Sequence, residues 1–438
     1  MKISRRQFIG AAIAAGAATL GFAGLRRFWD RRIPGIGYGE LVQDPNNLLD
    51  LPKGFRYHVL SRTGDPTSDG LLVPGAPDGM AAFRGSGGRT ILIRNHELSA
   101  DSLERSAFGP ENAVPEWLDP ALIYDASGGL GGTTTLVYDT TRQKLERQYL
   151  SLIGTVRNCA GGSTPWGSWV SSEESVARPD EKYTCDHGFN FEVPANAGGL
   201  VKPVPLKAMG RFNHEAICVD AATGIVYETE DRGDGLFYRF LPNVNGNLAA
   251  GGRLQALRIG EESVDTSNHE TLTVLPRSPL QVTWIDLEEV ESPEDDLRER
   301  GAQQGAALFA RGEGIWADRD CIYFAATSGG FLECGQIWKY VPSTSTLELF
   351  AESPSSVLLE NPDNISIAPW GDLLICEDGP FDNRMIGITP GGRYYTLARN
   401  VLNDSELTGG VFSPDGSTLF INIQSPGITF AITGPWRG

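Results

Sequence analysis

One local unit recurs along this chain and limits the folds open to it. It is an apolar strand, a short polar turn with Gly or Asp, then a second apolar strand that tends to end in acids. Ala216–Asp231 (AICVDAATGIVYETED), Ile365–Asp378 (ISIAPWGDLLICED) and Val411–Gln424 (VFSPDGSTLFINIQ) are its clearest copies, and Gly314–Thr327 and Pro165–Glu174 follow it more loosely. Each alternates as a half-buried strand does, and the turns supply the backbone angles a tight reversal needs. Small antiparallel sheets that repeat are arranged most naturally around a ring, so the unit predicts an all-β propeller with insertions between blades. A β-sandwich would not repeat one hairpin so often. The 53 glycines and 27 prolines suit a chain of many turns. No segment sustains a helical period; Glu288–Leu308 is the best helix candidate and reads as a charged surface insertion with a short helix. A first strand at Arg56–Leu60 and a last at Ile428–Ile432 are expected to share one blade and close the ring.

The N-terminus carries a different signal. Ser4-Arg5-Arg6-Gln7-Phe8-Ile9 precedes an apolar run from Phe8 to Ala23 that ends in small residues. Paired arginines before such a run mark a twin-arginine export signal. The run is shorter than the ~20 apolar residues a spanning helix needs. The expected organisation is a signal over residues 1–23, an extension over 24–48 and a single propeller over 49–438. The protein is then periplasmic or extracellular. Its partners are the twin-arginine export machinery and a small-molecule substrate, with no stable membrane association after cleavage. A net charge of −18 argues against nucleic acid or an anionic membrane face as a partner, and favours hard cations. The six cysteines contain no C-x-x-C pair, which argues against a zinc ribbon and leaves disulfides open.

The acids are placed unusually, directly after apolar runs. Glu97 ends ILIRNHE, Glu173 and Glu174 end another strand, Glu230 and Asp231 end VYETED, and Glu377 and Asp378 end LLICED. Glu215 sits in Phe212-Asn213-His214-Glu215 and Glu313 in Arg311-Gly312-Glu313-Gly314. Inner strands line the channel of a propeller, so acids from several blades are expected to meet there. Two carboxylates ~4 Å apart repel by ~4 kcal/mol at an effective dielectric near 20, so such a gathering requires cations. Oxygen ligands alone suit calcium or magnesium, and a soft ligand moves the choice towards a transition metal.

At this point the residues resemble a known family, the PhoX alkaline phosphatases of bacteria. The resemblance runs from about Pro77 to Trp436. Its segments include Asp78-Gly79-Met80, Arg94-Asn95-His96-Glu97, Gly132-Thr133-Thr134-Thr135, Asn158-Cys159-Ala160-Gly161-Gly162 and Thr164-Pro165-Trp166-Gly167. Further on come His214-Glu215, Glu230-Asp231, Tyr238-Arg239-Phe240, Phe309-Ala310-Arg311 with Glu313-Gly314, Asn361-Pro362-Asp363-Asn364, Cys376-Glu377-Asp378-Gly379 and Ser425-Pro426-Gly427-Ile428-Thr429. The resemblance implies a six-bladed propeller with Fe3+ and Ca2+ clustered on its axis, hydrolysing phosphate esters, mainly monoesters. Cys159 would be the iron thiolate, with Glu215 and Glu313 as iron carboxylates. Arg311 would hold the phosphoryl oxygens. Glu97, Glu173, Glu174, Glu230, Asp231, Glu377 and Asp378 would supply calcium ligands. His96 and His214 are expected to orient neighbouring acids, and Trp166, Trp169 and Trp370 to pack the blades.

Two departures bear on substrate identity: the chain is shorter than typical family phosphatases, and Ser172 stands where a cysteine is expected before the Glu-Glu pair. Two other functions compete. A calcium-dependent propeller acting on phosphotriesters or lactones would have no use for Cys159. A non-catalytic periplasmic propeller would have no use for the channel acids.

Overall fold

The structure is a computed structural model and describes residues 36–437. Its strands form six sheets set around an axis, a six-bladed propeller. Blade 1 is built from Pro77–Arg84, Arg89–His96, Gly131–Asp139 and Lys144–Thr155. Blade 2 has Asn158–Ser163, Ser168–Glu173 and Asn190–Pro194. Blade 3 starts with His214–Val219, Val226–Glu230 and Gly235–Pro242. Blade 4 has Gly312–Ala317, Ile322–Ala326, Gln336–Val341 and Thr346–Glu352. Blade 5 has Pro362–Ile367, Leu373–Glu377, Arg384–Ile388 and Tyr394–Asn400. Blade 6 has Leu407–Phe412, Leu419–Ile423 and Ile428–Thr433. The first strand of each blade packs against the first strands of its two neighbours, so these six line the axis.

The recurring hairpins of the sequence are the inner hairpins of blades 2 to 6, and Pro77–His96 supplies the sixth. They are not half-buried, as their alternation suggests. Val226–Glu230, Leu373–Glu377 and Leu419–Ile423 are buried at every residue. The reason is radial stacking, which covers both faces of each sheet. One apolar cluster fills each gap between blades. Phe237 of blade 3 stacks on Phe324 of blade 4 at 4.2 Å between ring centroids. Each such side chain stabilises the ring by ~1.5–3 kcal/mol through burial.

Closure follows the expected route. Ile428–Thr433 pairs antiparallel with Arg56–Arg62, which is the outer strand of blade 6. The boundary of the N-terminal extension does not hold. Leu41–Val42 pairs with Leu51 and Pro52, and Leu49–Pro52 pairs with Arg399 and Asn400, so both strands extend blade 5. Tyr38 anchors this segment among Phe55, Trp370, Tyr395 and Trp436. The helix candidate becomes one short α-helix, Leu297–Gln303. No helix among the described residues is long and apolar enough to cross a membrane. The expected export signal lies outside the described residues.

Candidate metal centre on the propeller axis

Every innermost strand slips its register against the second strand at the same place. The slips fall at Pro77/Met80, Asn158/Gly161, His214/Ile217, Gly312/Ile315, Pro362/Ile365 and Thr408/Val411. A bulge of this kind takes residues out of the ladder and re-aims their side chains. The first residue inside each slip is Asp78, Cys159, Glu215, Glu313, Asp363 and, in blade 6, Gly409. The second is Gly or Ala in five blades, at Gly79, Ala160, Ala216, Gly314 and Gly410, and Asn364 in blade 5. At the three glycines a neighbouring blade leaves no room for a side chain. A Cβ on Gly79 would lie 2.7 Å from Ala160 Cα, and one on Gly314 would lie 2.5 Å from the Asp363 carbonyl oxygen. These six residues line a narrow axial passage below the donors.

Polar straps from adjoining blades hold the bulges. Asn95 Nδ2 donates to the carbonyls of Ala160 (2.5 Å) and Cys159 (3.3 Å), and Thr229 Oγ1 donates to that of Glu313 (2.6 Å). Asn422 Nδ2 donates to that of Asp78 (2.9 Å).

The donors meet in an arc of three overlapping groups: Asp78, Glu97 and Cys159; Cys159, Glu174 and Glu215; Glu215, Glu313 and Asp363. Within each group the ligand atoms lie within 4.8 Å of one another. Cys159 and Glu215 are the shared members. Both oxygens of Glu215 and Oδ1 of Asp78 are buried without a hydrogen-bond partner, a costly state for a carboxylate. Burial, then the neighbouring acids, pushes Asp78, Glu174, Glu215 and Glu313 well above the usual carboxylate range. Asp363 is pushed up to about 7 by the same causes, and burial raises the Cys159 thiol. The cavity thus disfavours its own negative charge, and cations would reverse that.

The acids predicted at strand ends divide into two sets. Glu173, Glu230 and Glu377 are the residues paired opposite the starts of the inner strands, and they turn into their own blades. Glu173 accepts hydrogen bonds from the backbone N–H groups of Val156, Gly188 and Phe189. Glu230 accepts from Tyr238 Oη (2.7 Å) and the Leu236 N–H. Glu377 makes a two-pronged ion pair with Arg384, 2.7 Å at each contact. These three belong to none of the donor groups. The residues one position later, Glu174, Asp231 and Asp378, face the axis side, as does Glu97, which follows His96 at the same place in blade 1. Glu97 and Glu174 join the donor groups directly. Asp231 and Asp378 act on them through charge, as causes of the raised pKa values of Glu215, Glu313 and Asp363.

Arg311 lies between Asp231 and Glu313. Its Nε and Nη2 donate to the two oxygens of Asp231 (2.7 and 3.0 Å), and Nη2 also reaches Glu313 Oε1 (2.7 Å). The sequence reading missed its counterpart, Arg157, whose Nε donates to Glu97 (3.0 Å) and Nη2 to Glu174 (2.6 Å). Burial works against both guanidiniums, but the acids outweigh it and raise their pKa values. Both arginines sit at positive φ, 47° and 57°, two residues before the bulge donor. That shared spacing, Arg157-Asn158-Cys159 and Arg311-Gly312-Glu313, was readable in the sequence, as were the Pro77-Asp78 and Pro362-Asp363 pairs that flag the two aspartates. In blade 6 an acid, Glu406, stands three residues before Gly409, and its carboxyl is also raised by burial and by Asp378, Asp78 and Asp363.

Other expectations resolve locally. His214 faces Glu228 at 3.3 Å, as an orienting residue should. His96 orients no acid; it contacts the Gly75 carbonyl and Thr134 Oγ1, both at 2.9 Å. Ser172 donates to Asn190 Oδ1 (2.7 Å), inside its blade. Trp169 is buried with Nε1 on Asn95 Oδ1, Trp166 donates to Glu192 and Trp370 to Asp372, so all three pack the blades. All six cysteines are free thiols.

The fold has known counterparts. PhoX of Pseudomonas fluorescens, solved with vanadate, a transition state analogue, superposes with a TM-score of 0.64 at 19% identity, over 89% of this chain and 96% of that one. A protein of unknown function from Dyadobacter fermentans (TM-score 0.49, 7% identity, 87% and 100% covered) and virginiamycin B lyase of Staphylococcus aureus (0.44, 12%, 86% and 99%) are more distant. No curated protein sequence matches this chain. The family model for alkaline phosphatase PhoX matches residues 36–427, nearly the whole described chain. The chain that carries this ring of bulge donors is therefore a member of the alkaline phosphatase PhoX family.

Proposed function

We propose that this family member hydrolyses phosphate monoesters at an iron–calcium cluster held on the propeller axis. The observation that carries the reading is the arc of buried carboxylates sharing one sulfur, with both Glu215 oxygens unpartnered. Such a donor set fits the two metals. A thiolate with carboxylates suits iron, and the purely oxygen ligands suit calcium. A calcium-only site would leave Cys159 without a role. Cys159, Glu215 and Glu313 would hold iron. Asp78, Glu97, Glu174 and Asp363, with Asp231 and Asp378 at the mouth, would supply oxygens to calcium. Bound there, the cations would supply positive charge that polarises the phosphoryl oxygens.

The chain's own residues set the approach. The passage below the donors is narrow, whereas Arg157, Arg311 and Asp378 reach solvent, so an ester enters past the arginines. In both arginines Nε and Nη2 are committed to acids, which leaves Nη1 to donate to the phosphoryl oxygens. Asp231 and Glu313 hold the Arg311 fork in one orientation, so little is lost in ordering it when the ester binds. The same reading makes the protein an exported one, delivered folded by the twin-arginine route.

Elemental analysis of protein folded in cells, before any chelator, is expected to find iron and calcium together with phosphate release at alkaline pH. Cys159→Ala should lose iron and activity; full retention of both would overturn the reading. Arg311→Ala should keep the metals and lose on the order of 10³-fold in turnover, as removal of a phosphoryl-clamping arginine does.

A further inference from the structure

A second group of ligand-type side chains lies outside the axial arc, where the 177–188 segment covers blades 1 and 2. Asp125, Cys185 and His187 present one oxygen, one sulfur and one nitrogen to a common point. Cys185 Sγ is 4.0 Å from His187 Nε2 and 3.8 Å from Asp125 Oδ2, and Nε2 is 3.4 Å from that same oxygen. Zinc bonds of about 2.0–2.3 Å in a tetrahedron place such donors about 3.3–3.6 Å apart. The nitrogen–oxygen edge already fits. The two sulfur edges need only a few tenths of an ångström of closure, and Cys185 is half-exposed and able to give it.

The surroundings are those of a ligand set. His187 is fully buried, and its Nδ1 lies 2.7 Å from Glu173 Oε1. That carboxylate fixes the ring so that Nε2 faces the sulfur and the oxygen, the arrangement usual behind a metal-bound histidine. Asp125 is buried and held by Ser127 N–H (2.8 Å), Thr184 N–H (2.7 Å) and Thr184 Oγ1 (2.9 Å). The rings of Tyr124 and Tyr183 stand edge-on to the imidazole at 5.4 and 5.2 Å. A nucleophilic Cys–His pair is the other chemistry for such residues. A carboxylate oxygen beside both its members would oppose a thiolate, whereas as a third ligand it belongs.

We propose that Asp125, Cys185 and His187 form a three-ligand site for a borderline-soft divalent cation of the zinc type, with Glu173 as its orienting carboxylate and a fourth position open to solvent. The site is separate from the axial cluster: Glu173 turns away from the axis while Glu174, next to it, turns towards it.

Cobalt(II) is the probe. One equivalent added to the full chain, with its axial metals in place, should produce in the difference spectrum a thiolate-to-cobalt band in the near ultraviolet and the visible bands of a four-coordinate ion. Zinc should displace it and raise the melting temperature. Cys185→Ser should lose the band and the zinc-induced shift, and Cys321→Ser should keep both. Asp125→Asn should weaken zinc at least 10-fold, and Glu173→Gln should weaken it about 10–100-fold, as loss of an orienting carboxylate does. Absence of the band in the parent chain, or its persistence in Cys185→Ser, would overturn the proposal and leave His187 as an ion-pair bridge between Asp125 and Glu173.

Discussion

Glu377 and Asp378 are neighbours in the chain and opposites in the fold. Glu377 faces its own blade and closes a buried ion pair with Arg384, whereas Asp378 reaches the mouth of the axial cavity. Glu173/Glu174 and Glu230/Asp231 divide in the same way, one residue bonded within a blade and the next turned to the axis. In each pair the inward member is served by donors of its own or a nearby segment. The axial member meets other acids and an arginine. Position along a strand, not residue type, thus decides which acid holds the fold and which is available to a cation.

Three substitutions test that division. The largest effect is expected at the axis. Glu174→Gln should lower metal affinity and activity by more than the ~100-fold typical of outer-sphere changes, with little loss of stability in metal-depleted protein. Elemental analysis and denaturant unfolding would check the two halves of that statement. Glu377→Gln should do the reverse. It strands the Arg384 guanidinium and should cost about 3 kcal/mol of stability while axial metals stay bound, as breaking a buried ion pair does. Loss of metal in that variant would erase the distinction.

The smallest effect concerns pH. Burial pushes Glu230 up to about 7 from an ordinary value of 4.5, against the donors Tyr238 and Leu236. Between those two pH values the folded chain keeps a proton that the unfolded chain releases. Stability therefore falls as pH rises through the window. Glu230→Gln keeps an acceptor for Tyr238 and should flatten the fall, read from urea unfolding on either side of the window. An unchanged slope would mean that the carboxylate is not the group that titrates there.

Much of the fold was legible. The hairpins of Ala216–Asp231 and Ile365–Asp378 announced themselves because β-branched runs and Asp- or Gly-bearing turns are local signals. The closure of Ile428–Thr433 on Arg56–Arg62 was legible from the ring's need for a common blade. The strands at Leu41–Val42 and Leu49–Pro52 were not, because such short edge strands are defined by the sheet they join. In the site, Cys159, Glu215 and Glu313 were readable from family motifs, and the bulges bring all three into the arc. Asp78, Asp363 and Arg157 were missed although their motifs stood in plain view. Their meaning depends on a register slip that alternation alone does not reveal.

Taken alone, the amino-acid order determined what each segment would do locally: where strands run, where they turn, and which of them end in charge. Local dihedral preferences and side-chain periodicity act within a few residues and need no partner. Tertiary structure decided which charges would share a cavity. Six bulges at one height aim five donors inward, and Gly409 carries none at the sixth because the Asp78 carbonyl lies 2.4 Å from where its Cβ would be. That convergence joins Asp78 to Asp363 across most of the chain, and it exists only once the ring has closed.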